Sequence, residues 1–328
     1  MIDYSRERMQ NSISDLPDGT YRASDVLEGD GVTDADIEIQ AAVTIDGATI
    51  TVDFAGTAGQ VAGNCNAPLS VATSAVYFVI RCITDPEIPP NHGCYEPVTV
   101  DAPAGSLLNP EPPAAVVGGN VETSQRVTDV VFLALAEAAP DRVPAQGQGT
   151  MNNLIIGGRG GDFAYYETIG GGFGGRASAD GMDGVQVGMT NTLNTPVEAL
   201  EAEYPLRVER YALRSGSGGD GTHRGGLGLE RRLRVQQDAT VSLFTERRRH
   251  APQGVDGGEP GVTGENLLQL PDEDEASVAP KTTVDVPAGT VVTVRTPGGG
   301  GHGDPTERDP EDQQRDRTDG KVNGSNTE

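Results

Sequence analysis

The sequence predicts an α+β fold, rich in β, with two buried helices packed on sheet and a glycine-rich C-terminal β portion. Three observations point that way. Short runs of alternating apolar residues are bounded by turn residues, the pattern of half-buried strands. Two longer stretches carry the three-and-four spacing of core-facing helices. And 45 glycines and 22 prolines among 328 residues favour short strands and many turns over a helical bundle. With no tryptophan and few other aromatic residues, the core has to be built from Val, Leu, Ile and Ala.

Residues 3–15 suit a short helix with a thin apolar stripe of Met9 and Ile13, and Pro17-Asp18-Gly19 makes a turn. Ile37, Ile39, Ala41, Val43 and Ile45 alternate up to Asp46-Gly47, and Ile50, Val52 and Phe54 alternate after it. That predicts a hairpin over a type I′ turn with one buried face. Ser70 is placed to cap a helix to about Thr84, apolar nearly all round, in which Cys82 packs as a small hydrophobe. Two short strand candidates lie between Asn91 and Pro113, and a second helix is expected from Glu122 to Ala138, stopped by Pro140. Composition shifts near 145, which divides the chain into a 1–144 portion and a glycine-rich 145–305 portion. In the latter, strands are expected at 163–169 and 206–213 and a short helix at 197–203. Leu227 to Val235 alternates, turns at 236–238 and returns through Val241 to Phe244. After a long loop with a strand near 267–270, Val284 to Val294 suggests a small hairpin around Ala288-Gly289. The 306–328 tail is charged and polar, so it is expected to be weakly ordered.

The formal net charge is -25, and only Lys281 and Lys321 are lysines. So acidic a balance favours a salt-adapted cytoplasm and disfavours nucleic acid or an anionic membrane as partner. No apolar run marks a secretory signal or a membrane span, so a cytoplasmic location is expected. Cys65, Cys82 and Cys94 are too sparse and odd in number for a disulfide framework.

Candidate chemistry centres on Tyr165 to Pro205. Gly170, Gly171, Gly172, Gly174 and Gly175 either cradle an anion through backbone N–H groups or allow backbones to cross tightly. They do not fit a dinucleotide fingerprint, because a turn-like segment follows where a helix should open. Asn191, Thr192 and Asn194, with Thr190 and Thr195, suit an uncharged polar ligand such as an amide, or a turn network leading into the helix at 197. His223 lies in a loop with Arg224, either touching substrate or facing solvent. Glu122 sits at a helix start, where a carboxylate is stabilised. Glu246-Arg247-Arg248-Arg249-His250 is the one basic cluster, suited to acidic groups on another subunit. Asp183, Glu198 and Glu203 have no spacing that fixes acid and base roles. His92 and Cys94 fall short of the three or four ligands a metal needs, so no metal site is expected in this chain.

Seven motifs together carry a resemblance. They are GGNVETSQR at 118–126, QGTMNN at 148–153, YYETIGGGFGGR at 165–176, DGMDG at 180–184, the 189–214 stretch, HRGGLGLERRL at 223–233 and TPGGGGHGDP at 296–305. From about Tyr4 to Asp312 the chain resembles the hydantoinase B/oxoprolinase family. That family comprises the B subunit of ATP-dependent hydantoinases, the matching half of 5-oxoprolinase, and relatives among acetone and acetophenone carboxylase subunits. Family members usually run past 500 residues and carry a His- and Asp-rich segment resembling HHADVGG, which this sequence lacks. The resemblance is therefore to the C-terminal portion. It implies ATP and Mg on a partner A-type ATPase subunit, a divalent metal on the N-terminal portion of the B subunit, and a hetero-oligomer joining all three. The implied activity is hydrolytic ring opening of a cyclic amide such as hydantoin or 5-oxoproline. The alternatives are a non-catalytic half-subunit that completes the fold and binds the ATPase, or part of a ketone-carboxylase-like complex. The glycine N–H groups and the Asn/Thr set are the expected stabilisers of the leaving group.

Overall fold

A computed structural model describes residues 1–322. The fold is mixed α+β, with several sheets and helices, and divides into two compact units, Met1–Val143 and Pro144 onward.

The first unit opens with α1 (Ile2–Ser14), which buries Met9 and Ile13. A four-stranded sheet follows in the order β1 (Gly19–Glu28), β2 (Asp36–Asp46), β3 (Thr49–Asp53) and β4 (Val98–Asp101). Strand β1 is not visible as alternation, because its outer positions are polar or small and only its end, at Leu27 and Glu28, is fully buried. The β2–β3 hairpin forms where the alternation places it. Its turn differs in type. Gly47 has a φ of 55° while Ala48 is not left-handed, so the signs are those of type II′, with glycine first. Strand β4 runs parallel to β3, which requires a crossover, here α2 (Leu69–Ile83) and α3 (His92–Tyr95).

Pro68 holds the N-cap position of α2 without a side-chain capping bond, and Ser70 is the second residue of the helix, not its cap. It is amphipathic, burying Ala72, Ala75, Val76, Val79, Ile80 and Ile83 and leaving Cys82 exposed. A π turn, Gly119–Thr123, leads into α4 (Ser124–Leu135), which packs against α2, β1 and β2. The polar start of α4 is buried. Arg126 is fully inside, with Nη1 3.1 Å from Asp25 Oδ2 and 3.3 Å from Asp129 Oδ2.

The second unit holds two sheets. One has four strands: β5 (Asn153–Gly158), β6 (Ala164–Thr168), β9 (Ala239–Phe244) and β12 (Lys281–Val286), in the order β12-β9-β5-β6. The other orders β11 (Ala276–Ser277), β10 (Glu265–Gln269), β13 (Val291–Arg295), β8 (Leu229–Val235) and β7 (Leu206–Leu213), with α5 (Val197–Glu203) leading into β7. Leu154, Ile156, Val241 and Leu243 of the first share one apolar core with Leu206, Leu233, Val235, Val292 and Val294 of the second.

Two expected hairpins are therefore arches. Strands β8 and β9 lie in different sheets, and so do β12 and β13. The corners brace each other: Gly289 N donates to Val235 O at 2.7 Å and Ala288 N to Asp238 Oδ1 at 3.0 Å. Beyond residue 305 the chain is also more ordered than its composition suggests. A 3-10 turn, Pro305–Glu307, precedes α6 (Pro310–Thr318), which buries Asp316. The part of the tail from 323 to 328 lies outside the described residues.

Candidate functional site

Outside the sheets of the second unit, glycine-rich segments cross at backbone distance. A Cβ on Gly174 would lie 1.7 Å from Ala145 O, and one on Gly172 2.0 Å from Gly226 O, so only glycine fits either place. Gly170 and Gly171 approach Val185 and Gln148, and Gly175 lies against His223 and His302. Three of these glycine N–H groups, and that of Phe173, are taken up by protein carbonyls. Gly171 donates to Val185 O at 2.8 Å, Gly172 to Pro297 O at 3.0 Å, Phe173 to Met182 O at 3.0 Å and Gly175 to Gly300 O at 2.8 Å. At these glycines backbones cross closely. These four donors do not face an open anion cradle.

Next to the crossing lies a chain of alternating charges. Arg224 holds Asp183 in a two-pronged contact, Nη1 to Oδ1 at 2.8 Å and Nη2 to Oδ2 at 3.2 Å, and its Nε donates to Asp316 Oδ1 at 3.1 Å. Arg308 grips Asp180 in the same way, at 2.7 and 2.8 Å, and donates to Asp316 Oδ2 at 2.6 Å. Burial works to raise both aspartates. The hydrogen bonds and positive charge of Arg308 and Arg224, together with backbone N–H donors, outweigh it in sum and hold each carboxyl below the usual range. His223 is half-buried here, its Nδ1 3.8 Å from Asp180 Oδ1, and its backbone pairs with that of His302.

A third constellation was not singled out by sequence. It joins QGTMNN to the basic cluster. Asn152 and Arg247 are both buried, with left-handed φ values of 48° and 61°. Asparagine tolerates that conformation, but arginine adopts it rarely, and such strain persists where surrounding structure enforces it. Thr150 Oγ1 accepts from Asn152 N and from Glu246 N, each at 3.1 Å. Asn152 Nδ2 donates to Gln148 Oε1 at 2.7 Å and to Ile169 O at 3.2 Å. Arg248 Nη1 donates to Asn152 Oδ1 at 2.7 Å, and Nη2 to Asn266 Oδ1 at 2.8 Å. Glu246 is paired with Lys281, and both are buried. Arg247 thus turns inward and cannot serve a surface patch. Lys281 precedes the hairpin read from Val284 to Val294, so no pattern in the sequence pointed to this pairing.

Asn191, Thr192 and Asn194 are exposed on the segment before α5, where Thr190 and Thr192 hydroxyls lie 3.4 Å apart. Glu122 is fully buried in the π turn of the first unit. Asp183 is held by Arg224, and Glu198 and Glu203 are exposed. Among the described residues, no three His, Cys, Asp or Glu side chains converge to hold a metal ion. Nor is any helix among them long and apolar enough to cross a membrane.

The sequence model of the hydantoinase B/oxoprolinase family matches residues 1–305. The chain belongs to that family. It is 43 % identical over 308 residues to an uncharacterized protein of Methanocaldococcus jannaschii, covering 94 % of this chain and 54 % of that protein. It is 44 % identical over 292 residues to 5-oxoprolinase 1 of Arabidopsis thaliana, covering 88 % of this chain and 22 % of the plant protein. Among solved structures, the ATP-dependent caprolactamase from Pseudomonas jessenii matches with a TM-score of 0.86 at 28 % identity, over 98 % of this chain and 58 % of its own. An acetone carboxylase structure matches with the same TM-score at 19 % identity, over 98 % of this chain and 50 % of its own, which is a likeness of fold. The chain thus spans about half, or less, of the relatives it matches.

Proposed function

We propose that this chain is the C-terminal part of a hydantoinase B/oxoprolinase-type subunit that contributes to ATP-dependent hydrolytic ring opening of a cyclic amide. The observation that carries the reading is the family match along residues 1–305, joined to a shared fold over 98 % of the chain with an ATP-dependent caprolactamase. In this reading a partner A-type subunit uses ATP and Mg to phosphorylate the amide carbonyl, making its carbon electrophilic, and water then completes ring opening. The side chains described here do not fit the implied divalent metal, so no step on this chain is routed through it. It belongs to the N-terminal portion that relatives carry, and the working unit is a hetero-oligomer of all three parts.

Asn191, Thr192 and Asn194 are the proposed amide contacts, because they are neutral, exposed and able both to donate and to accept. His223, beside Asp180, is the proposed proton-handling group, and Glu122 the binding candidate of the first unit. Gly170–Gly175 act as scaffold for the glycine-rich β portion. Replacing Asn191 and Asn194 by alanine in the assembled complex is expected to lower turnover about tenfold or more with the melting temperature unchanged. Unchanged turnover would remove them from the site.

That result would favour the second reading, a half-subunit that completes the fold and binds the ATPase. The observation on its side is that four backbone donors of the glycine cluster are already taken by protein carbonyls. The acetone carboxylase likeness supports a ketone-carboxylating complex as a further substrate test. The net charge of -25 supports a salt-adapted cytoplasm as its setting.

A further inference from the structure

We infer that the second unit carries a binding site for a small oxyanion, a phosphate or a carboxylate, in the cavity between Arg214 and Arg248. The cavity holds about 640 Å³ and is lined also by Thr263, Glu265, Asn266 and Ser277. It lies where β7, β9, β10 and β11 end or begin, so rigid strands position its polar groups.

Arg214 is the unusual member. It is half-buried, and Nη1 donates to the carbonyls of Thr263, at 3.1 Å, and Thr296. No carboxylate among the described residues pairs with it. Its Nε and Nη2 have no protein acceptor among them either, and the residue lines the cavity. Burial, and then the charge of Arg295, make its guanidinium costly to keep charged. A counter-anion relieves both.

Arg248 brings a second guanidinium to the same space, locked by Asn152, Asn266 and the Glu246 carbonyl. The lining carboxylate, Glu265, is engaged by Arg295 at 2.8 Å. In a chain of net charge -25, a concave space presenting two arginines focuses anions. Arginine forks match oxyanions with two or more oxygens. The inference does not rest on the proposed reaction, because binding is read without turnover.

The test is isothermal titration of the full chain with inorganic phosphate, and separately with acetate, at constant ionic strength. Saturable binding of either supports the site, and the stronger arm names the oxyanion. Arg214→Gln is expected to weaken binding about tenfold or more. Glu265→Gln removes a negative charge and frees Arg295, so it is expected to tighten binding severalfold, which a purely structural role would not produce. If Arg214→Gln does not fold, Glu265→Gln decides alone. No saturable binding of either anion to the wild-type chain, wild-type affinity in Arg214→Gln, or no tightening in Glu265→Gln would each overturn the inference.

Discussion

The second unit is held together in two opposite ways. In the paired sheets, side chains do the packing: Leu154, Val241, Leu233 and Val294 meet in a dry core. In the glycine crossing, the missing side chains let backbones approach and bond directly, as Gly172 does to Pro297 and Gly226 to Phe173. A core of side chains tolerates a changed methyl group by partial relaxation. A crossing of backbones has no rotamer to give. The first region should therefore degrade in steps under mutation and the second should fail at once.

The sharpest way to break this contrast is Gly174→Ala. Its Cβ would fall 1.7 Å from a backbone oxygen, so a loss of more than about 4 kcal/mol, read as failure to fold or loss of the urea transition, is expected. A folded variant of near wild-type stability would show that the crossing is loose. Next comes Arg231, fully buried and bonded to Glu167 at 3.2 and 3.3 Å. Arg231→Met alone should cost about 3 to 5 kcal/mol by urea unfolding, because it leaves Glu167 buried without its partner. The double variant with Glu167→Leu should recover most of that loss. Failure of the double variant to recover would mean that the pair does more than satisfy itself.

Smaller still is the acid response. Asp180 and Asp183 sit below their ordinary range when folded. Their contribution is fully present above the unfolded carboxylate value of about 3.9 and is lost as pH falls through the lower folded values. Their share, read as the difference in urea midpoint between wild type and Asp180→Asn/Asp183→Asn, should hold from neutral pH to about 4 and then drop; a difference constant to pH 3 would show that the Arg224–Arg308 chain adds nothing to the acid response. Smallest of all is Gly160→Ala, whose nearest neighbour, Asp162 Oδ1, would be 3.6 Å away. Thermal melting should shift by no more than about 1 kcal/mol equivalent.

What the sequence made legible follows the same divide. Helix α5 and strand β7 fall at the residues their pattern indicates, and Arg231 faces inward while Arg232 and Arg234 bond to Glu209 on the other face. Alternation cannot say which strand is the partner, so the β8–β9 and β12–β13 arches read as hairpins. Strand β1 was hidden because it buries little side chain until its end. The polar network of Asn152, Arg248 and Asn266 was hidden because its members are 96 and 18 residues from one another in pairs, joined only by folding. Helix α6 was hidden because it docks through ion pairs, not an apolar stripe.

The measurement closest to the central claim is reconstitution. An A-type ATPase subunit and an N-terminal B portion would be purified and assayed for ATP-dependent ring opening of 5-oxoproline and hydantoin, with and without this chain, at high salt. The account predicts that turnover appears only when all three are present and that this chain co-elutes with the complex. Full turnover without it, or its exclusion from an active complex, would contradict the account.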